Sequence, residues 1–271
     1  MSRELRLTQT QRDVIAHPAH AHGLVDEMAL VREAVRVSSL VTRVTIDLGG
    51  EPDAAEWAKP NTAIRIEVPA LDDDTALVSR VYTVRRFEAP RTIEVDVVRH
   101  GHRTPMTVWL GGIRPGDRVR VIGPRTHLLP PHDGRPIELV ADDSALPAVA
   151  SILAAWPDGS RGRVRSPSLD EVVLSQLPAV PGVTVERIAA VADVTAPIGA
   201  VLWAAGERDD MRALRARCLA AGMDKADLRV FGYWKRGVSN SVIDAKRLDH
   251  FAALLTATGS ADGVDDFDID I

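Results

Sequence analysis

Arg80, Tyr82 and Thr83 lie in one run of β-forming residues, Arg80-Val81-Tyr82-Thr83-Val84-Arg85. On an extended strand alternate side chains share a face, so Arg80 and Tyr82 are expected to project together, with Thr83 on the other side or reached at a bend. An arginine fork matches phosphate oxygens, a tyrosine ring offers a flat apolar face, and a hydroxyl can bond a polar edge. Taken alone, the same four residues also read as an ordinary solvated strand. A second group lies where apolar runs pass into helical pattern: Asp143 and Ser144 after 137–140, and Ala205-Gly206-Glu207 after a buried run. Strand ends that feed helix starts are where a parallel α/β sheet binds a dinucleotide, which makes Asp143, Ser144, Gly206 and Glu207 candidates to flank NAD(P)H. The chain has no G-x-G-x-x-G, so the standard Rossmann fingerprint is excluded.

The elements that must carry these residues fall into two kinds. Short β-rich runs at 41–48, 63–68, 78–87, 93–99 and 118–122, divided by Gly, Pro and Asp, predict an antiparallel barrel or sandwich. After the turn-rich 130–136 the period changes. A strand is expected at 137–140, Asp142 to Ser144 can cap a helix over 148–156, and a strand at 199–205, a helix at 207–221 stopped by Gly222 and a strand at 228–233 complete a parallel α/β half. A strand at 183–188 is the only element expected within 157–198. The domain reading is an N-terminal extension at 1–25, a barrel at 26–133, an α/β domain at 134–257 and an acidic, solvated tail at 258–271.

Composition limits the chemistry. The 271 residues carry 33 Lys and Arg against 38 Asp and Glu, a formal charge of −5, which argues against nucleic acid as the main partner. The single Cys218 rules out an internal disulfide and an iron–sulfur cluster held by this chain's own thiolates, so redox chemistry here requires a bound organic cofactor. Its helical spacing with Met211 and Leu214 reads as core. His17, His20 and His22 do not share one helical face, so no metal site is expected there. The start lacks an apolar signal core, and the apolar stretch 145–156 is too short to span a bilayer, so membrane insertion is not expected and the cytoplasm is the expected location.

Arg80-Val81-Tyr82-Thr83 resembles the R-x-Y-[ST] flavin motif of the ferredoxin reductase superfamily. The ordered elements after it narrow the resemblance. The segment 100–109 (His100-Gly101-His102-Arg103-Thr104-Pro105-Met106-Thr107-Val108-Trp109), then Pro115-Gly116-Asp117 and Gly123-Pro124, are similar to the barrel elements of the siderophore-interacting protein family. Asp142-Asp143-Ser144-Ala145-Leu146-Pro147-Ala148, Trp203-Ala204-Ala205-Gly206-Glu207 and Gly232-Tyr233-Trp234-Lys235-Arg236-Gly237 resemble that family's α/β elements in the same order. One departure is Thr104, which stands where the family has a second glycine, so the loop over the phosphates is expected to sit differently.

The resemblance implies an FAD-binding barrel followed by an NAD(P)H-binding parallel sheet, a ferredoxin reductase-like fold. It implies that Arg80, Tyr82 and Thr83 contact the flavin and that His100, Gly101 and Thr107 line its pyrophosphate. Either Tyr233 or Trp234 can be simply core, since successive strand residues face opposite ways; Trp234 is taken as the C-terminal aromatic that would act with Tyr82 at the reacting ring. The implied activity is that of an NAD(P)H-dependent ferric-siderophore reductase releasing Fe(II). An acidic protein taking an anionic iron chelate needs a local basic patch, and Arg65, Lys235 and Arg236 offer one. The same residues leave open a flavin reductase with another acceptor, including a partner redox protein, and a non-catalytic binding module. Arg208, Arg212 and Arg215 can meet a 2′-phosphate or form the solvated face of a helix.

Overall fold

The computed structural model describes residues 23–71, 76–99, 103–258 and 267. Six antiparallel strands close a barrel in the order β1-β2-β5-β4-β3-β6: β1 (Val25–Arg36), β2 (Val41–Asp47), β3 (Thr62–Pro69), β4 (Leu77–Glu88), β5 (Thr92–Val98) and β6 (Arg118–Thr126). A short helix α1 (Ala54–Trp57) links β2 to β3, and α2 (Pro105–Gly112) links β5 to β6. Alternation builds the core: Val44 and Ile46 of β2, Ile64, Ile66 and Val68 of β3, and Ile93, Val95 and Val97 of β5 are buried at every second position. Each such side chain contributes about 1.5–3 kcal/mol of burial.

The second half is a parallel sheet in the order β11-β10-β7-β8-β9, comprising β7 (Ile137–Ala141), β8 (Gly162–Ser166), β9 (Val183–Arg187), β10 (Val201–Glu207) and β11 (Leu228–Trp234). Its helices are α3 (Leu146–Ala154), α4 (Glu171–Ser175) and α5 (Arg208–Ala220), and a last helix α6 (Asn240–Thr258) follows β11. β7 is flanked by β8 on one side and β10 on the other, so the chain reverses its direction of winding between β7 and β10. At such a switch point the carboxyl ends of the two strands open a crevice. Met211, Leu214 and Cys218 bury one stripe of α5, and Cys218 is indeed core.

Four features differ from the sequence reading. β1 starts at Val25, whereas the β pattern was expected from Val35; a register shift between Val31 and Glu33 leaves Ala29 and Val31 as its buried residues, so the alternation is masked. Residues 157–198 hold β8 and α4 besides β9. Helix α6 was not expected, because its buried positions Ile243, Ala245 and Leu248 are diluted by charged neighbours. In the tail, Phe267 is buried against the sheet-and-α5 core, with the Arg208 guanidinium 5.3 Å from its ring centroid and its carbonyl accepting from Arg212 Nη2 at 3.2 Å. That residue is therefore not solvated, and Arg208 and Arg212 face Phe267.

Among the residues that fasten the two halves is Asn61, which is buried with φ 56°. Its N–H donates to Ser151 Oγ at 3.0 Å and its Nδ2 to the Leu128 carbonyl at 3.0 Å, which also accepts from Trp203 Nε1 at 3.2 Å. Its Oδ1 is 3.4 Å from the Tyr233 hydroxyl.

Candidate functional site

Strand β4 presents Arg80 and Tyr82 on one side and Thr83 on the other, as its period requires. Tyr82 is half-buried against the barrel core, and burial raises its phenol above the ordinary value against the lowering effect of Arg80. Arg80 Nη1 donates to the Ser79 carbonyl at 2.8 Å and to Ser241 Oγ of α6 at 3.1 Å. Thr83 is buried, and its hydroxyl is hydrogen-bonded to the Tyr233 phenol, so it stands at the seam between the halves.

Thr104 takes φ −128° and ψ 162°, angles open to any residue, and caps α2: Thr107 N–H donates to Thr104 Oγ1 at 3.1 Å and Thr104 N–H to Thr107 Oγ1 at 2.8 Å. The glycine of the family pattern is thus not needed for this turn, and the reciprocal cap engages the Thr107 hydroxyl at the helix start. His100 and Gly101 lie outside the described residues, as do His17, His20 and His22.

Asp142, which the sequence reading treated as part of a cap, organises the mouth of the switch-point crevice. Helix α3 begins after Ala145, which makes no side-chain cap. Asp142 Oδ1 instead accepts from Ser144 N–H at 2.9 Å and Ser144 Oγ at 2.5 Å, while Oδ2 accepts from Glu207 N–H at 2.9 Å and Trp234 Nε1 at 2.8 Å. Gly206 makes this approach possible, since a Cβ there would lie 2.7 Å from Asp142 Oδ2. Burial raises the Asp142 carboxyl above 3.8, partly offset by the Ser144 and Trp234 hydrogen bonds and reinforced by the charge of Asp143. One carboxylate therefore ties together the ends of β7, β10 and β11.

The neighbouring candidates have structural partners. Asp143 accepts from the Ser168 hydroxyl. Glu207 is buried; its Oε2 caps α5 through the N–H groups of Asp209 and Asp210 at 2.9 and 3.0 Å, and its Oε1 accepts from Arg236 N–H at 2.9 Å. Trp203 is wholly buried core. Lys235 Nζ lies 3.3 Å from Asp209, and Arg236 Nη2 lies 3.7 Å from Asp210 with its guanidinium 6.0 Å from the Trp234 ring centroid.

A basic cluster forms elsewhere, where β3, β6 and α6 meet. Burial together with the charges of Arg125, Arg247 and Arg65 lowers His127 from 6.5 to about 4. Arg125 is itself lowered by burial and by Arg65. Arg65 Nη1 pairs with Asp244 of α6 at 3.1 Å and touches Ser79 Oγ at 3.2 Å. Of this set only Arg65 was picked out from the sequence. Arg125 sits directly after the Gly123-Pro124 pair, a signal that could have led to it, whereas Arg247 depends on a helix that had not been anticipated.

Among the described residues no group of three or more His, Cys, Asp or Glu side chains could hold a metal ion, and no helix is long and apolar enough to cross a membrane. The donor set on β4 and α2 suits FAD: a guanidinium for phosphate, a half-buried aromatic ring, and a capped helix start whose amide end favours an anion.

A closed antiparallel barrel joined to a doubly wound parallel sheet, with an R-x-Y-[ST] strand beside the switch-point crevice, defines a ferredoxin reductase-like flavoprotein. Residues 135–237 match the siderophore-interacting protein family, and residues 35–128 match the siderophore-interacting FAD-binding domain. The chain belongs to the siderophore-interacting protein family. The ferric acinetobactin reductase of Acinetobacter baumannii is 32% identical over 229 residues, covering 79% of this chain and 80% of that protein. The ferric vibriobactin reductase ViuB of Vibrio cholerae is 28% identical over 163 residues, 59% of this chain and 51% of that protein. The solved siderophore-interacting protein from Acinetobacter baumannii superposes with a TM-score of 0.78 at 28% identity, covering 87% of this chain and all of that one.

Proposed function

We propose that this protein is a cytoplasmic NAD(P)H-dependent ferric-siderophore reductase, with a barrel domain at 26–133 for FAD and an α/β domain at 134–257 for the nicotinamide. The observation that carries the acceptor is the cluster of Arg65, Arg125 and Arg247 around His127: Arg65 and Arg247 share one carboxylate, Asp244, whereas Lys235 and Arg236 each lie against a carboxylate of their own, Asp209 and Asp210, so the cluster keeps the larger excess of positive charge for an anionic iron chelate. A bound FAD would supply the chemistry that couples a hydride donor, NAD(P)H, to a one-electron acceptor, Fe(III). Arg80 and the α2 start would hold its phosphates, and the Tyr82 ring would support its flat part. Asp142 fixes the Trp234 indole at the crevice where the nicotinamide enters, with Asp143, Ser144 and Gly206 lining that entrance. Iron leaves because the hard oxygen donors of a siderophore bind Fe(II) far less well, so no protein ligand for the metal is required.

The test is direct. Protein reconstituted with FAD is expected to bleach when NADH or NADPH is added without oxygen, and a ferrous-specific dye is then expected to report Fe(II) on addition of a ferric siderophore. Bleaching without Fe(II) from several chelates removes the siderophore assignment and leaves a flavin reductase with another acceptor.

A further inference from the structure

Helix α6 places a carboxylate among the cations of the basic cluster. Asp244 Oδ2 is 3.1 Å from Arg65 Nη1, and Asp244 Oδ1 is 3.9 Å from Arg247 Nη1. The Asp244 side chain is only 15% exposed and that of Arg65 33%, so the pair is shielded on most sides. Resting on the ferric-chelate reading above, we propose that Asp244 is the specificity-determining residue of this cluster, a built-in counter-anion that keeps it from favouring polyanionic chelates over chelates of low net charge.

A chelate that approaches Arg65 must share the guanidinium with Asp244 or displace it, and Asp244 is held in place by its helix. Repulsion between Asp244 and the chelate grows with each negative charge that the chelate carries, whereas a neutral chelate is bound by shape and hydrogen bonds that Asp244 barely alters. The carboxylate also withholds Arg65 from small anions such as phosphate, which present too little charge to displace a tethered competitor. A cluster of this kind accepts iron complexes of differing charge, at the cost of its maximum affinity for the most anionic ones.

Binding can be read without turnover by using gallium(III), which is not reduced. Dissociation constants for a gallium tris-catecholate, charge 3−, and a neutral gallium trihydroxamate would be measured by tryptophan quenching in the FAD-loaded protein. In Asp244→Asn the trianion is expected to bind about tenfold tighter while the neutral complex shifts by less than about twofold. Asp244→Glu, which keeps the charge, is expected to retain the wild-type ratio. Equal shifts for both complexes, no shift, or weaker trianion binding in Asp244→Asn would overturn the proposal. The wild type supplies a test that needs no variant: its two constants should differ by less than about tenfold at 0.15 M salt, and a preference for the trianion of about a hundredfold or more also overturns it. A wild type that binds neither complex, yet whose flavin NAD(P)H still bleaches, removes the functional reading and the proposal together.

Discussion

Replacing Asp142 by Asn tests whether one buried carboxylate holds the crevice together. The substitution preserves shape and keeps Oδ1, which can still accept from Ser144 N–H and Oγ, but it turns Oδ2 into an amide facing the Glu207 and Trp234 N–H donors. Two donors lose their acceptor, at about 1–3 kcal/mol each when buried, so a net destabilisation of about 2–5 kcal/mol is expected at neutral pH. For a chain of this size that is a fall in Tm of about 5–15 °C, measured by scanning calorimetry or circular dichroism. The pH dependence sharpens the test. The folded-state pKa of Asp142 is raised above 3.8, so the folded protein binds that proton more readily than the unfolded chain does. Its contribution is therefore fully present below 3.8 and is lost as pH rises through the folded value. The asparagine variant has no such proton, so the stability gap between it and the wild type is expected to widen as pH falls from neutral toward 3.8. A variant as stable as the wild type, or a gap that narrows on acidification, would refute this account of the site.

Tyr82→Ala removes the half-buried ring from β4 and is expected to weaken FAD retention at least about tenfold, the order expected from one lost aromatic contact; FAD content after gel filtration checks this. Gly206→Ala places a methyl group 2.7 Å from Asp142 Oδ2, against a carboxylate held by four hydrogen bonds. A loss of about 1–3 kcal/mol is expected in urea unfolding, together with a changed Trp234 emission. His127, lowered to about 4, stabilises the fold above 6.5, and that stability is lost as pH falls from 6.5 toward 4. His127→Gln is expected to flatten this acid-side loss in thermal melts across that window.

The division into a barrel and an α/β half was readable because both hydrophobic periods are strong: alternation in β2, β3 and β5, and the Met211, Leu214 and Cys218 stripe in α5. β1 was obscured by its register shift, and α6 by the charged residues along it. Within the site, motif residues were identified but their partners were not. Nothing in a strand of sequence shows that Glu207 spends both oxygens on backbone N–H groups, or that Thr107 turns back to Thr104. Asp142, Asp244 and Arg247 draw their meaning from contacts 92, 179 and 15 positions away along the chain, to Trp234, Arg65 and Gly232. Such pairings follow from topology, which local pattern does not encode.

Asn61 carries a consequence for modularity. The barrel and the sheet look like interchangeable parts, yet one left-handed residue just before β3 reaches Ser151, Leu128 and Tyr233 at once. A chimera that grafts the barrel of one relative onto the nucleotide half of another would have to transplant these four positions as a set, or the two active surfaces would meet at the wrong angle. For this chain the position of a cut in the linker therefore matters less than keeping together the residues that meet at Asn61.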